Sequence, residues 1–174
     1  MSKGPEAYKK AYDAVKCRIQ GQDPYASKLA MDVLMWITCS KRQLSPRELQ
    51  EALGVEPGSL FMDKENVPQV NDIVSVCAGL VKVKKSDVIC LVHHTAQEYF
   101  KRNQRDWFPS AESYLTITCV TYLSFKTFAT GFCENAFYNY AARNWGHYAR
   151  GAGSGPATIT QGLLGSKLKV SALC

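Results

Sequence analysis

Histidine, carboxylate and thiol side chains crowd one short stretch, Leu91-Val92-His93-His94-Thr95-Ala96-Gln97-Glu98-Tyr99-Phe100, with Cys90 directly before it. Three chemistries are open to such a cluster. An imidazole changes charge near neutral pH and can donate to an anionic oxygen, which makes His93 a candidate for anion recognition. Cys90, His93 and His94 are ligand types of a zinc site. Period-two alternation along a strand, however, sends Cys90 and His93 to opposite faces. No carboxylate cluster lies close in sequence, so no metal site is expected. A nucleophilic enzyme needs a Cys or Ser with a positioned base. Seven cysteines and three histidines make chance pairings common, and no Gly-x-Ser-x-Gly elbow is present. No Gly-x-x-x-x-Gly-Lys-Ser/Thr phosphate loop occurs. The chain is expected to be non-catalytic and to hold no cofactor.

The elements that must position this stretch can be read around it. Leu80 to Val92 has the pattern of a β-hairpin: Leu80, Lys82 and Lys84 alternate with Val81 and Val83, Lys85-Ser86-Asp87 turns the chain, and Val88, Ile89, Leu91 and Val92 return it. Thr95 stands three residues before Glu98, the spacing of a capping box, and a helix is expected from Thr95 to about Arg105. Upstream, Ala7, Ala11, Ala14, Val15 and Ile19 recur at helical spacing over Pro5–Gln20, with Gly21 to stop the helix. Asp23-Pro24 is an N-cap followed by proline. It opens a helix with the inner stripe Ala26, Leu29, Ala30, Val33, Leu34, Trp36 and Ile37. Ser45-Pro46-Arg47-Glu48 opens a third helix, to about Leu53. A loop over 54–66 and a helix over 68–78, closed by Gly79, precede the hairpin.

A hairpin beside short helices is the wing of a winged-helix fold. The expected class is mainly α: a winged-helix domain over 5–108, a helical extension over 109–150, and a flexible, low-structure tail over 151–174. Pro109-Ser110 marks the break, helices are expected at 111–123 and 136–150, and Gly151-Ala152-Gly153-Ser154-Gly155-Pro156 has linker composition.

The totals exclude several classes. No run of ~18 apolar residues is present, so no membrane span is expected. No apolar segment follows a basic one behind Met1-Ser2-Lys3-Gly4-Pro5-Glu6, so no secretory signal is expected there. The cysteines are odd in number and widely scattered, which argues against a disulfide framework and for a reducing, cytoplasmic setting. The net charge of +6 is spread along the chain rather than gathered in a nucleic-acid arm.

The Leu91–Phe100 stretch is similar to the motif that closes the wing in NACHT-type signalling ATPases. Further matching segments are Lys3-Gly4-Pro5-Glu6-Ala7-Tyr8, Trp36-Ile37-Thr38-Cys39, Leu44–Leu53, Val74–Val81, Trp107-Phe108-Pro109, Cys119–Phe125 with Gly131-Phe132-Cys133, and Tyr140–His147. Together they make roughly residues 3–150 resemble the region after the ATPase in fungal NACHT–ankyrin proteins, the "GPI inositol-deacylase winged helix" type. The resemblance implies a regulatory connector in NLR-like signalling, with NACHT or ankyrin segments as protein partners. It also implies that His93 is the histidine that reaches the phosphates of a nucleotide held by a NACHT domain. Two departures stand out. Only Glu134-Asn135-Ala136-Phe137 separates Cys133 from Tyr138, where relatives carry a longer acidic insert, and the resemblance stops after Arg150. No ankyrin period of about 33 residues fits in the tail. The chain looks like a middle piece of a larger architecture.

The main rival is DNA binding, because winged helices often insert a helix into the major groove. That helix would be 68–78, which has no Lys or Arg, and Asp63, Glu65 and Asp72 lie in or before it. A helix facing phosphates should not be acidic. Lys82, Lys84 and Lys85 on the wing are the one argument for nucleic acid. The aromatic series Trp107, Phe108, Tyr114, Tyr122, Phe125, Phe128, Tyr138, Tyr140, Trp145 and Tyr148 is expected to be core, with part of it left for a partner.

Overall fold

The computed structural model describes residues 5–125 and 135–153. Eight α-helices and one antiparallel hairpin follow in the order α1 Pro5–Gln20, α2 Pro24–Cys39, α3 Pro46–Leu53, α4 Val70–Val76, β1 Val81–Lys84, β2 Val88–Leu91, α5 His94–Arg102, α6 Gln104–Trp107, α7 Ala111–Leu123 and α8 Tyr138–Gly151. This is a mostly helical winged-helix architecture. The described residues divide into two compact units. One comprises the chain up to Pro46 with Gln69–Pro109; the other comprises Arg47–Pro68 with the chain from Ser110 onward. Phe128, the Gly131-Phe132-Cys133 segment and the tail from Ser154 lie outside the described residues.

In the first unit α2 is the central helix. Asp23 caps it as expected: its Oδ1 accepts from the backbone N–H of Tyr25 at 3.1 Å and of Ala26 at 3.0 Å, and Pro24 occupies the first turn, where no N–H is needed. Leu29, Ala30, Val33, Leu34, Met35, Trp36 and Thr38 are buried, with Trp36 fully enclosed. In α1 the buried side chains are Tyr12 and Ile19, while Ala11 and Ala14 face solvent. The inner face is therefore rotated from the expected alanine stripe. Tyr12 offers ring area that alanine cannot, and it stacks on Tyr99 with centroids 4.4 Å apart.

The hairpin pairs Val81 with Leu91, Lys82 with Cys90, Val83 with Ile89 and Lys84 with Val88. The Val92 N–H donates to Leu80 O at 2.8 Å, which extends the pairing to the limits read from sequence. Three residues, 85–87, make the turn. Asp87 takes φ +54, the left-handed position that closes a three-residue hairpin loop. Leu44 forms an isolated antiparallel bridge with Ile89, whose N–H donates to Leu44 O at 3.0 Å. β2 is thus flanked on both sides, and Ile89, Cys90 and Leu91 are all buried. α4 is shorter than the helix read over 68–78: it ends at Val76, and Ala78 (φ 51) and Gly79 (φ 80) both turn left-handed before the wing.

The helix after the wing differs in two ways from expectation. Its N-cap is His93, not Thr95, and His93 caps through its backbone carbonyl, which accepts from Ala96 at 3.1 Å and Gln97 at 3.3 Å. Thr95 lies inside the first turn, its hydroxyl 3.5 Å from the Tyr12 hydroxyl, so the Thr95–Glu98 capping box does not form. The helix also breaks at Asn103 into α5 and α6, and the Asn103 side-chain amide donates to Tyr99 O at 2.8 Å. The break turns Trp107 and Phe108 onto Phe100, at 4.8 Å and 6.2 Å between centroids. Lys16 Nζ lies 4.6 Å above the Trp107 ring, a cation–π contact from α1.

In the second unit α7 and α8 run antiparallel: Tyr122 near the end of α7 meets Phe137 at the start of α8, and Glu112 at the beginning of α7 lies against Gly151 at the end of α8. Leu115, Thr116, Thr118, Cys119, Val120 and Tyr122 on α7 are buried, as are Tyr140, Ala141 and Tyr148 on α8. The Tyr140 and Tyr148 hydroxyls are 2.5 Å apart. Glu51 of α3 joins these helices. Its carboxylate accepts from the Tyr122 hydroxyl and from the backbone N–H groups of Ala136 at 3.2 Å and Phe137 at 3.0 Å, just ahead of α8. A carboxylate there also complements the positive end of the α8 dipole. Gly54 ends α3 where a Cβ would fall 2.8 Å from Val67 Cγ2, so the 54–67 loop closes only over a residue without a side chain.

Candidate functional site

Two surfaces carry the residues singled out by chemistry: the wing and the junction between wing and α5. Both belong to the first unit. The antiparallel register places Lys82 and Lys84 on one face of β1, and with Lys85 in the turn all three lysines are exposed. At the junction, the chain leaves β2 at Leu91 and enters α5 at His94. His93 is exposed, and its imidazole makes no hydrogen bond among the described residues. His94 is also exposed, with Nδ1 3.8 Å from Glu98 Oε1, one helical turn on. A surface pair at that distance contributes little.

Cys90, by contrast, is buried within β2. The structure does not bring Cys90 together with His93 and His94, and among the described residues no group of three His, Cys, Asp or Glu side chains could hold a metal ion. A shallow cleft in this unit is lined by Ile37, Ser40, Leu44, Cys90, Leu91 and Gln97 together with Arg42, Gln43 and Ile89. Its lining holds neither carboxylate nor imidazole, so it offers no acid–base pair. The deeply buried thiols are poor nucleophiles. Burial pushes Cys77 up from 9.0 to about 12 and raises Cys119 further. Burial also raises the Tyr122 hydroxyl, helped by its hydrogen bond to Glu51 and the charge there, so it stays a neutral donor.

α4 stands where a winged helix would present a recognition helix. Its exposed residues are Asn71, Asp72 and Ser75, preceded by exposed Gln69, and it carries neither Lys nor Arg. Gln22 ties the end of this helix to the α1–α2 connection, its Nε2 donating to Val76 O at 2.8 Å. No helix among the described residues is long and apolar enough to cross a membrane.

Sequence reasoning missed three structural residues, Tyr12 and Leu44 in the first unit and Glu51 in the second. Tyr12 was hidden by the alanines beside it. Leu44 is a single apolar residue between Lys41-Arg42-Gln43 and Ser45, and its isolation in a polar run was the available signal. Glu51 reads as an ordinary exposed helix charge, and nothing local shows that its partners lie about 70 and 85 positions away.

Helix α2, the Leu44 bridge, α3, α4 and the β1–β2 wing, in that order, define a winged-helix domain. The model of the family described as GPI inositol-deacylase, winged helix domain, matches residues 17–112, more than half of the chain, and the chain belongs to that family. The match runs from the second half of α1 to the first turn of α7. No curated protein and no solved structure matches the chain.

Proposed function

We propose that the chain is a non-catalytic connecting and regulatory module that works by protein–protein contact, in the place held between the NACHT ATPase and the ankyrin repeats in the fungal signalling proteins it resembles. The observation that carries this reading is the surface of α4. A helix with Asp72 and no basic residue is a poor fit to a phosphate-lined groove and a good fit to a protein surface. The cleft and the buried thiols, which offer no base and no activated nucleophile, support a module without catalysis.

In that setting His93 is the group that meets the phosphates of a nucleotide held by the neighbouring ATPase. Its exposed imidazole at a chain turn supports the assignment. Alone it would hold nothing tightly. A single charge-assisted hydrogen bond is worth ~1.5–3 kcal/mol, which corresponds to millimolar binding or weaker. Calorimetry of the isolated chain with ADP should therefore be flat. In a chimera placed behind a relative's NACHT domain, His93→Ala should speed ADP release by roughly 10-fold. Equal release rates for the parent and His93→Ala chimeras would remove the sensing role.

A second reading, DNA binding through the wing, is favoured only by Lys82, Lys84 and Lys85.

A further inference from the structure

The hydrogen-bond phase of the wing determines which backbone groups face outward. In an antiparallel pair, residues that exchange hydrogen bonds alternate with residues that do not. Val92 donates to Leu80, so the Leu80–Val92 pair is bonded, and by alternation so are Lys82–Cys90 and Lys84–Val88. The Val83–Ile89 pair falls between them, and the Ile89 N–H indeed points the other way, to Leu44 O at 3.0 Å. The N–H and C=O of Val83 therefore face away from β2. The sheet is two-stranded and Leu44 flanks it on the β2 side, so among the described residues no strand pairs with the outer edge of β1. Val83 is 39% exposed there, between Lys82 and Lys84, with Lys85 next in the turn and Asp87 the one acidic residue of the hairpin.

We propose that the outer edge of β1 is a docking edge for an extended acidic segment of a partner protein, which adds to the wing as a further strand. The proposal rests on the protein-contact reading above and names the partner's chemistry. Main-chain bonds from Val83 give the added strand its register, as in other β-augmented complexes. Carboxylates on that strand lie beside Lys82 and Lys84, where opposite charges on neighbouring strands stabilise the pair. Lysines along an edge strand also guard against pairing with an identical edge. The two roles agree: the same charges repel a second copy of this hairpin and admit an acidic strand.

The probe is a fluorescein-labelled peptide of alternating Glu and Val, titrated into the full chain by anisotropy, with amide hydrogen exchange followed residue by residue. The expected result is saturable binding that weakens with salt and protection of the Val83 amide on binding. Val83→Pro deletes the outward donor at a position where β1–β2 pairing does not use it, the setting in which an edge strand tolerates proline. It should weaken binding by roughly 10-fold, while a peptide with proline at its centre should lose binding to the unaltered protein. Absence of saturable binding, or binding that leaves Val83 exchange unchanged, would overturn the proposal. A parallel titration with duplex DNA separates the two readings. Tight duplex binding that displaces the peptide would sink both, whereas loss of the peptide arm with no duplex binding would sink the docking edge alone.

Discussion

The two units hold their aromatic side chains in different ways. In the first, Tyr12, Tyr99, Phe100, Trp107 and Phe108 pack ring against ring, and their polar links include a 3.4 Å contact from Trp107 Nε1 to the Tyr99 hydroxyl, the 3.5 Å contact between the Tyr12 and Thr95 hydroxyls, and the lysine over Trp107. In the second, Tyr122, Phe137 and Tyr140 also pack ring on ring, but oxygen atoms tie this cluster together as well. Glu51 gathers a phenol and two backbone N–H groups, and two tyrosine hydroxyls bond to each other. Ring packing is lost chiefly as contact area, because deleting a ring leaves a cavity that its neighbours only partly fill. The part-buried Glu51 carboxylate is lost differently, because each group it satisfies is left without that partner when it is removed. The first unit should therefore fail by cavity formation and the second by loss of one polar node.

The largest expected effect is in the first unit. Trp36→Ala should cost ~3–5 kcal/mol in denaturant melts, the range for deleting a large buried aromatic. A Trp36→Ala protein as stable as the parent would mean that α2 does not organise this unit. Glu51→Ala should follow at ~2–4 kcal/mol, since it strands the Tyr122 hydroxyl and the N–H groups of Ala136 and Phe137. Glu51→Gln should recover part of that loss by restoring an acceptor. Equal costs for the two variants would show that the α8 end needs charge, not merely an acceptor.

The buried thiols sharpen the comparison: Cys77 and Cys90 lie in the first unit and Cys119 in the second. Among the described cysteines, exposed Cys17 should alkylate first in the folded chain. Trp36→Ala should speed labelling of Cys77 more than of Cys119, and Glu51→Ala the reverse. Mass spectrometry of timed labelling reads both, and identical acceleration at the two sites would erase the distinction. The Cys77 shift has its own signature. A thiol raised from 9.0 to about 12 by burial stays protonated in the fold after it would ionise in the unfolded chain. Its contribution to stability is therefore complete below pH 9 and declines as pH rises through the window from 9.0 to about 12.

Smaller effects test the backbone and the junction. Ala78 holds φ 51 immediately before Gly79. Ala78→Gly removes the Cβ penalty of that conformation and should stabilise by up to ~1 kcal/mol, offset in part by the greater freedom of glycine in the unfolded chain. His93→Ala should change stability by less than ~0.5 kcal/mol, as for other exposed side chains that make no bond. A larger loss in the same melts would make His93 a structural residue.

What sequence showed and what it hid follow from the range of the interactions. The Asp23-Pro24 cap, the limits of α1 and α7, and the Leu80–Val92 hairpin were legible because each is set within a few residues: a side chain and the next turn's N–H groups, a run of apolar spacing, a turn tripeptide. The Thr95–Glu98 box was misread for the same reason. Its spacing is right, but Tyr12, 83 residues away, stands beside the threonine hydroxyl and His93 already closes the first turn with its carbonyl. The grouping of 47–68 with α7 and α8 was invisible, since it depends on Glu51 and Gly54 meeting partners that no local pattern announces. Of the candidate site, the lysines and His93 were placed by sequence on exposed wing and junction. The outward-facing edge at Val83 emerged only with the hydrogen-bond phase that Leu44 and Leu80 reveal.

Contact with protein, not with nucleic acid, is the function proposed for this winged helix. Fluorescence anisotropy of labelled duplex DNA at low salt tests it most directly. Weak, non-saturating binding through micromolar protein is expected, with little change on replacing Lys82, Lys84 and Lys85 by alanine. Sub-micromolar binding that is lost in the triple alanine variant would contradict it and assign the wing to DNA.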